Sequence, residues 1–237
     1  MVLAAGEGVR LRPLTLNTPK AMLPIGGKPI LGHTLGWLRR HGVVEVGINV
    51  HYLAQQIVDY LGDGRAFGVK IAYSREETLL GTAGGTKRLA AMFQGEQFGV
   101  VYADMLTDLD LGRMAELHVR AGAVATIALF VAPRPHEVGI VELDAQDHIV
   151  SFVEKPPPGT EKSNLASAGV YILEPEVLDL IPPGRADFGF DVFPAMLRKG
   201  LPILGYRPHP DEYIMDIGDL ERYRQANEDF AAGKVRL

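Results

Sequence analysis

Two guanidinium groups and an ammonium, Arg10, Arg12 and Lys20, follow a pair of glycines, Gly6 and Gly8, within the stretch LAAGEGVRLRPLTLNTPK that runs from residue 3 to residue 20. The pattern suits a polyanion. Glycines let the backbone turn tightly and close its N–H groups on an anion, while Pro13 and Pro19 forbid a continuous helix, so the cations sit on a fixed loop. The apolar run that follows, Ala21 to Ile25, gives that loop something to pack against. Read singly, each feature is ordinary: a glycine turn after a strand, a surface arginine, a solvated loop lysine. Two familiar phosphate motifs do not fit. The dinucleotide fingerprint needs a third glycine where Leu11 stands, and Gly27-Lys28 is followed by Pro29 rather than the Ser or Thr of a Walker A loop.

Carboxylates recur at positions that could carry chemistry. Asp104 closes the apolar run in VYAD, and in a parallel α/β sheet ligands bind at the carboxyl ends of strands. Asp216 stands in DEYIMDIGD, just before a predicted helix. Either residue, taken alone, also reads as a helix cap or turn former. The segment LLGTAGGTK places Gly81, Gly84 and Gly85 around a helix start, where each glycine costs about 1 kcal/mol relative to alanine. Close approach of a flat or anionic ligand explains them, and so does tight packing. FVEKP sets Glu154 beside Lys155 at a strand end, where neighbours point to opposite faces and an ion pair between them is not expected. With no cysteine, thiolate nucleophiles, disulfides and cysteine-ligated metals are excluded, and no HExxH, HxGH or GxSxG pattern occurs.

At these residues the chain resembles the sugar-phosphate nucleotidylyltransferases, the nucleotide-diphosphate-sugar pyrophosphorylases, whose N-terminal signature is G-x-G-x-R-L-x-P-L-T followed by P-K. The resemblance covers nearly the whole chain. It implies that Leu3, Ala4, Ala5, Gly6 and Gly8 hold a nucleoside triphosphate, that Arg10 meets the departing pyrophosphate, and that Lys20 binds near the reacting phosphates. LGTAG, with Gly81 and Thr82, matches the base-binding segment in wording most like the mannose-1-phosphate guanylyltransferase branch, and Glu76 falls at a base-contacting position. Asp104 and Asp216 match the pair that holds Mg2+, Asp104 also counting among the catalytic residues with Arg10 and Lys20. Gly139, Glu154, Lys155 and Ser167 match the residues that take the sugar 1-phosphate. The chain departs from the family at Val9, where Thr is usual, at Tyr102-Ala103 before Asp104, where Asn-Gly is usual, and at Ser167, where Asn is usual.

The implied reaction joins a sugar 1-phosphate to the α-phosphorus of a nucleoside triphosphate and expels pyrophosphate. Its nucleophile, a phosphate oxygen, is ionised at neutral pH, so cations and metal-binding carboxylates are needed and a general base is not. GTP with mannose 1-phosphate leads the substrate pairs; uridylyl, thymidylyl or cytidylyl transfer to glucose, heptose or amino-sugar 1-phosphates are the rivals. A nucleotide-sugar-binding regulatory subunit without turnover is the reading from another class.

Positioning such groups calls for alternating strands and helices. Apolar runs at Val2 to Ala5, Val43 to Val50, Val69 to Tyr73 and Phe98 to Ala103 alternate with helical patterns at Pro29 to His41, Leu53 to Leu61, Thr82 to Phe93 and Gly112 to Ala121. That is the signature of βα units with a parallel sheet. Later β-rich runs predict antiparallel additions, short helices follow at Glu174 to Leu180 and Asp191 to Leu197, Gly205 closes a last strand, and Asp219 to Ala231 reads as a terminal helix. The expected fold is α/β, a three-layer Rossmann-like nucleotidyltransferase fold with a mixed, mostly parallel central sheet, in a single domain over residues 1–237. The composition, 47% apolar and 22% charged, is that of a soluble globular protein, with no apolar run near the roughly 20 residues that span a bilayer and no signal peptide. A cytoplasmic setting is expected. A net charge of −5 argues against nucleic acid as a partner, and a homodimer is a reasonable assembly for a chain of this size.

Overall fold

The strand Val2–Leu3 is short because Gly6 follows it, yet it has parallel neighbours on both sides: Val2 pairs with Ile48 and with Val101, Leu3 with Asn49 and with Tyr102. This computed structural model describes residues 1–93 and 95–237. They fall into two units. The first comprises Met1–Leu79, Val101–Asp110 and Pro210–Leu237, and the second Leu80–Val100 and Leu111–His209.

In the first unit the strands Glu45–Val50 and Lys70–Arg75 continue the parallel set, in register from Glu45 opposite Lys70 to Val50 opposite Arg75. Apolar residues on both faces of a strand such as VGINV need cover from both sides, as parallel sheets do. The helix Ile30–Arg40 buries Ile30, Leu31, Leu35, Trp37 and Leu38, and the Trp37 indole donates to the Leu109 carbonyl at 2.8 Å. A two-stranded antiparallel ribbon, Met105–Thr107 with Ile214–Asp216, sets Asp216 opposite Met105. Leu106 of the ribbon and Ile217, just after it, join Leu11, Leu23, Ile25, Ile30, Ala226 and Val235 in one apolar core. The terminal helix Leu220–Ala231 starts at Asp219, whose carboxylate accepts the Arg222 N–H as a cap should.

In the second unit the long strand Leu165–Leu173 runs antiparallel to Ala125–Val131, Ile149–Glu154 runs antiparallel to Gly139–Leu143, and Ile203–Tyr206 lies parallel to Ala125–Val131. The predicted antiparallel additions are present. Phe152, Tyr171, Phe188 and Phe193 pack ring against ring, Phe193 lying 5.1 Å from both Phe152 and Tyr171.

Three local expectations are corrected. The helix expected from Thr82 to Phe93 spans only Gly81–Lys87 and is followed by a 3-10 turn at Ala90–Met92, because a run containing Gly84 and Gly85 has little helical propensity to carry it further. The helix expected at Asp191 is preceded by one turn of π-helix, Phe188–Val192, and runs Phe193–Arg198. The strand Ile203–Tyr206 is not the last, since Ile214–Asp216 follows it.

Candidate active site

The glycine turn is built as its residue types demand. Gly8 has φ +65°, and a Cβ there would stand 3.0 Å from both the Lys20 Cβ and the Thr15 Cγ2. No other residue fits without strain. The Gly8 carbonyl accepts from Leu11 N–H at 3.0 Å and from the Thr15 hydroxyl at 2.8 Å. Tyr52 donates to the carbonyls of Thr15 and Leu16, each at 2.9 Å, and Gln56 donates to that of Asn17. Leu11 points into the core while Arg10 is exposed. The loop is thus pinned to its unit, and its cation is presented outward.

Below the turn, the Ala4 N–H donates to Asn49 Oδ1 at 2.9 Å, and Asn49 Nδ2 donates to Glu76 Oε1 at 2.9 Å. Three neighbouring strand ends are joined by this relay. Glu76 is 5% exposed, so its carboxylate holds the Asn49 amide, which in turn fixes where the turn begins. A full network of this kind rigidifies; a gap in it would leave a buried polar group unpaired.

Lys20 and Asp104 form an ion pair, their side chains 16% and 20% exposed. Asp216 is paired likewise with Arg222, whose Nε also donates to Asp219 at 3.1 Å. The Ile217 N–H donates to the Asp104 carbonyl at 3.0 Å, so Asp104 and Asp216 lie on adjoining backbone segments. A Cβ at Gly218 would collide with Asp216 Oδ1 and would come within 3.3 Å of Arg10 Nη2, which places the Arg10 guanidinium at the same spot. Arg10, Lys20, Asp104 and Asp216 are therefore brought together in the first unit. The helix cap is Asp219, and Asp216 has no capping duty.

The second unit holds the other expected residues. Gly139 pairs with Glu154 in the ladder, and a Cβ on Gly139 would lie 2.6 Å from Glu154 Oε2 and 2.7 Å from Phe152 Cζ. Gly189 is restricted by the same carboxylate. Glu154 thus lies between two glycines, and burial pushes its carboxyl above the ordinary value, with Lys155 pulling it down and Asp187 pushing it up. Lys155 has φ +47°, a left-handed conformation that costs a non-glycine residue of order 1 kcal/mol or more, and its N–H is anchored on the Val138 carbonyl at 3.0 Å. The Ser167 hydroxyl lies 3.1 Å from the Tyr171 hydroxyl.

Gly81 and Thr82 are shaped by their own neighbours. Gly81 has φ +74° and a Cβ there would strike the Ala186 carbonyl, while Thr82 offers both its N–H and its hydroxyl to Asp187 Oδ1, at 2.9 and 3.2 Å. Asn49, Arg222 and Asp187 were not among the expected site residues. A polar residue inside the apolar VGINV was the available signal for Asn49; Arg222 and Asp187 left none.

No membrane-spanning helix occurs among the described residues. A family model described as "Nucleotidyl transferase" matches residues 1–233. Among curated proteins, the UTP--glucose-1-phosphate uridylyltransferase of Synechocystis sp. is 40% identical over 95% of the chain, and the mannose-1-phosphate guanylyltransferase of Mycobacterium tuberculosis is 36% identical over 98%. The chain spans 61% and 64% of the lengths of those two relatives. Among solved structures, a provisionally named glucose-1-phosphate thymidylyltransferase from Bacillus anthracis superposes with a TM-score of 0.87 at 23% identity, covering 100% of this chain and 95% of that one. HddC from Yersinia pseudotuberculosis, complexed with GMP-PN, gives 0.79 at 26%, with 97% of each chain covered. The likeness extends the α/β reading to a mixed, mostly parallel sheet of the nucleotidyltransferase kind.

Proposed function

That the chain belongs to the nucleotidyl transferase family is the premise from which we propose that it transfers a nucleotidyl group from a nucleoside triphosphate to a hexose 1-phosphate, releasing pyrophosphate. The observation that carries this is the gathering of Arg10, Lys20, Asp104 and Asp216 around the glycine turn, on segments far apart in the chain. A sugar phosphate oxygen attacks the α-phosphorus, the bond from that phosphorus to the bridging oxygen breaks, and pyrophosphate leaves with the electron pair. No proton need move. In this reading Arg10 and Lys20 take the developing charge of the leaving group, Lys155 seats the incoming phosphate and Glu154 accepts sugar hydroxyls. Removing one such preorganised charge typically costs about a hundredfold in rate.

Asp104 and Asp216 would hold Mg2+. Two carboxylates on adjoining segments fit that ion, which is commonly held by one or two protein carboxylates with substrate phosphates and waters completing its shell. When bound it supplies charge neutralisation and orientation of the phosphates. Lys20 and Arg222, already paired with those carboxylates, orient them and keep two partly buried negative charges balanced.

For the substrates, the LGTAG wording favours GTP with mannose 1-phosphate. UTP with glucose 1-phosphate is the second reading, favoured by the 40% identical relative. A competition assay with all four ribonucleoside triphosphates and dTTP, against glucose, mannose, heptose and amino-sugar 1-phosphates, identifies the product by mass. GDP-mannose as the main product supports the first pair, UDP-glucose the second, and no nucleotide sugar from any pair overturns the proposal. The cytoplasmic setting and a homodimer go with this reading, and light scattering tests the latter.

A further inference from the structure

An aspartate at a helix start ordinarily spends its carboxylate on its own helix. Asp187 does not. It precedes the π-turn Phe188–Val192 but makes no side-chain bond to that turn; instead Asp191 accepts the Asp187 N–H at 2.7 Å. The Asp187 carboxylate accepts the N–H and hydroxyl of Thr82, and the Thr82 hydroxyl accepts the Phe188 N–H at 2.9 Å. Backbone bonds complete the clamp, with the Ala83 and Gly84 N–H groups on the Ala186 carbonyl at 2.9 and 3.0 Å and the Ala186 N–H on the Leu80 carbonyl at 2.9 Å. Two residues further on, Gly189 lacks the Cβ that would strike Glu154, so the same short segment also makes the bed of that carboxylate. Single-turn π-helices are rare and occur often at functional sites.

We propose that Asp187 is a positioning residue for the transfer reaction, holding the turn Leu80–Gly84 in its ligand-binding shape from the segment that accommodates Glu154. The inference rests on the reading of Gly81 and Thr82 as part of the nucleotide-binding segment. Thr82 acts through its backbone shape, because its polar atoms are engaged with Asp187 and Phe188. Substituting Asp187 therefore weakens triphosphate binding more than it slows the chemical step.

Steady-state kinetics of Asp187→Ala, Asp187→Asn and Thr82→Val against wild type test this, with thermal midpoints measured in parallel. Asp187→Ala should raise KM for the triphosphate about tenfold, as loss of a bond to a charged acceptor does, with kcat changed less. Asp187→Asn keeps an acceptor for the Thr82 N–H and should recover most of the loss, while Thr82→Val should move the triphosphate KM in the same direction as Asp187→Ala. Wild-type KM values in folded Asp187→Ala and Thr82→Val would overturn the inference, as would a lowered midpoint with both substrate KM values unchanged. Should Asp187→Ala not fold, Thr82→Val and Asp187→Asn decide by the same criteria. If wild type turns over no pair, the functional reading fails first, and calorimetric triphosphate binding then judges the inference: weaker binding in Thr82→Val supports it, equal binding overturns it.

Discussion

Glu154, proposed to accept sugar hydroxyls, carries a cost in stability. A carboxyl whose pKa is raised on folding, here first by burial, holds its proton more tightly folded than unfolded. Stability is therefore lost as the pH rises from the ordinary carboxylate range through the raised value. Glu154→Gln has no proton to lose, so its thermal midpoint relative to wild type should be higher at pH 7 than at about pH 4, although sugar binding is impaired. A difference independent of pH would mean that the carboxyl is not destabilised by its surroundings. Lys155→Gly makes the complementary separation: it relieves the left-handed strain, leaving the midpoint at or above that of wild type, while KM for the sugar phosphate rises. Arg222→Lys tests the support of Asp216. A lysine cannot reach Asp216 and Asp219 together as the guanidinium does, so kcat/KM should fall about tenfold or more with little change in the KM of the sugar phosphate. Arg10 and Lys20 were legible as cations following a glycine turn and Asp104 as a strand end, while Asp216, and the role expected of each of the four, came from the resemblance to the family. Asn49 and Asp187 act through partners 27 and 105 positions away, whereas Arg222 meets Asp216 six positions back, across a helix start. No local pattern marks the two long-range bonds.

Among the elements, the glycine turn and the ribbon do most of the positioning. Gly8→Ala adds a Cβ at φ +65°, which costs about 1–2 kcal/mol, and presses it on Lys20 and Thr15. Lowered stability together with a loss of triphosphate affinity is expected, read by thermal melting and by calorimetry. The ribbon is held from the C-terminal side: the Tyr213 hydroxyl donates to Asp229 at 2.9 Å, and burial, first among the causes, raises the Tyr213 pKa. Tyr213→Phe leaves a buried carboxylate one donor short and should cost about 1 kcal/mol, a fall of about 2–4 °C in midpoint for a chain of this length. An unchanged midpoint would show that the bond contributes nothing net. The alternation of strands and helices was readable in the first half, where apolar runs are long enough to show a period. The ribbon was not, since its strands have three residues each and no period can emerge from three. The π-turn was not legible for a related reason: its five residues, with glycine second, show no period, and the expected helix took in only its last two, Asp191 and Val192.

At the scale of the whole molecule, the two units carry different groups. The first bears the cations and carboxylates proposed to meet a metal-bound triphosphate, and the second bears Gly81 and Thr82, proposed for the nucleotide, together with Glu154 and Lys155, proposed for the sugar phosphate. Family membership was legible from the GxGxRLxPLT-like stretch alone, and the fold followed from it. The substrate pair was not, because Val9, Tyr102 and Ser167 depart from the family's usual residues, and relatives naming UTP with glucose and mannose with guanylyl transfer are of similar identity. The most direct test is pyrophosphate release by wild type and by Asp216→Asn, with and without Mg2+, against the panel of triphosphates and sugar 1-phosphates. Release should require both substrates and Mg2+, and should fall by two orders of magnitude or more in Asp216→Asn while the thermal midpoint is kept. Full activity in Asp216→Asn, or release that does not depend on the sugar phosphate, would contradict the proposed transfer.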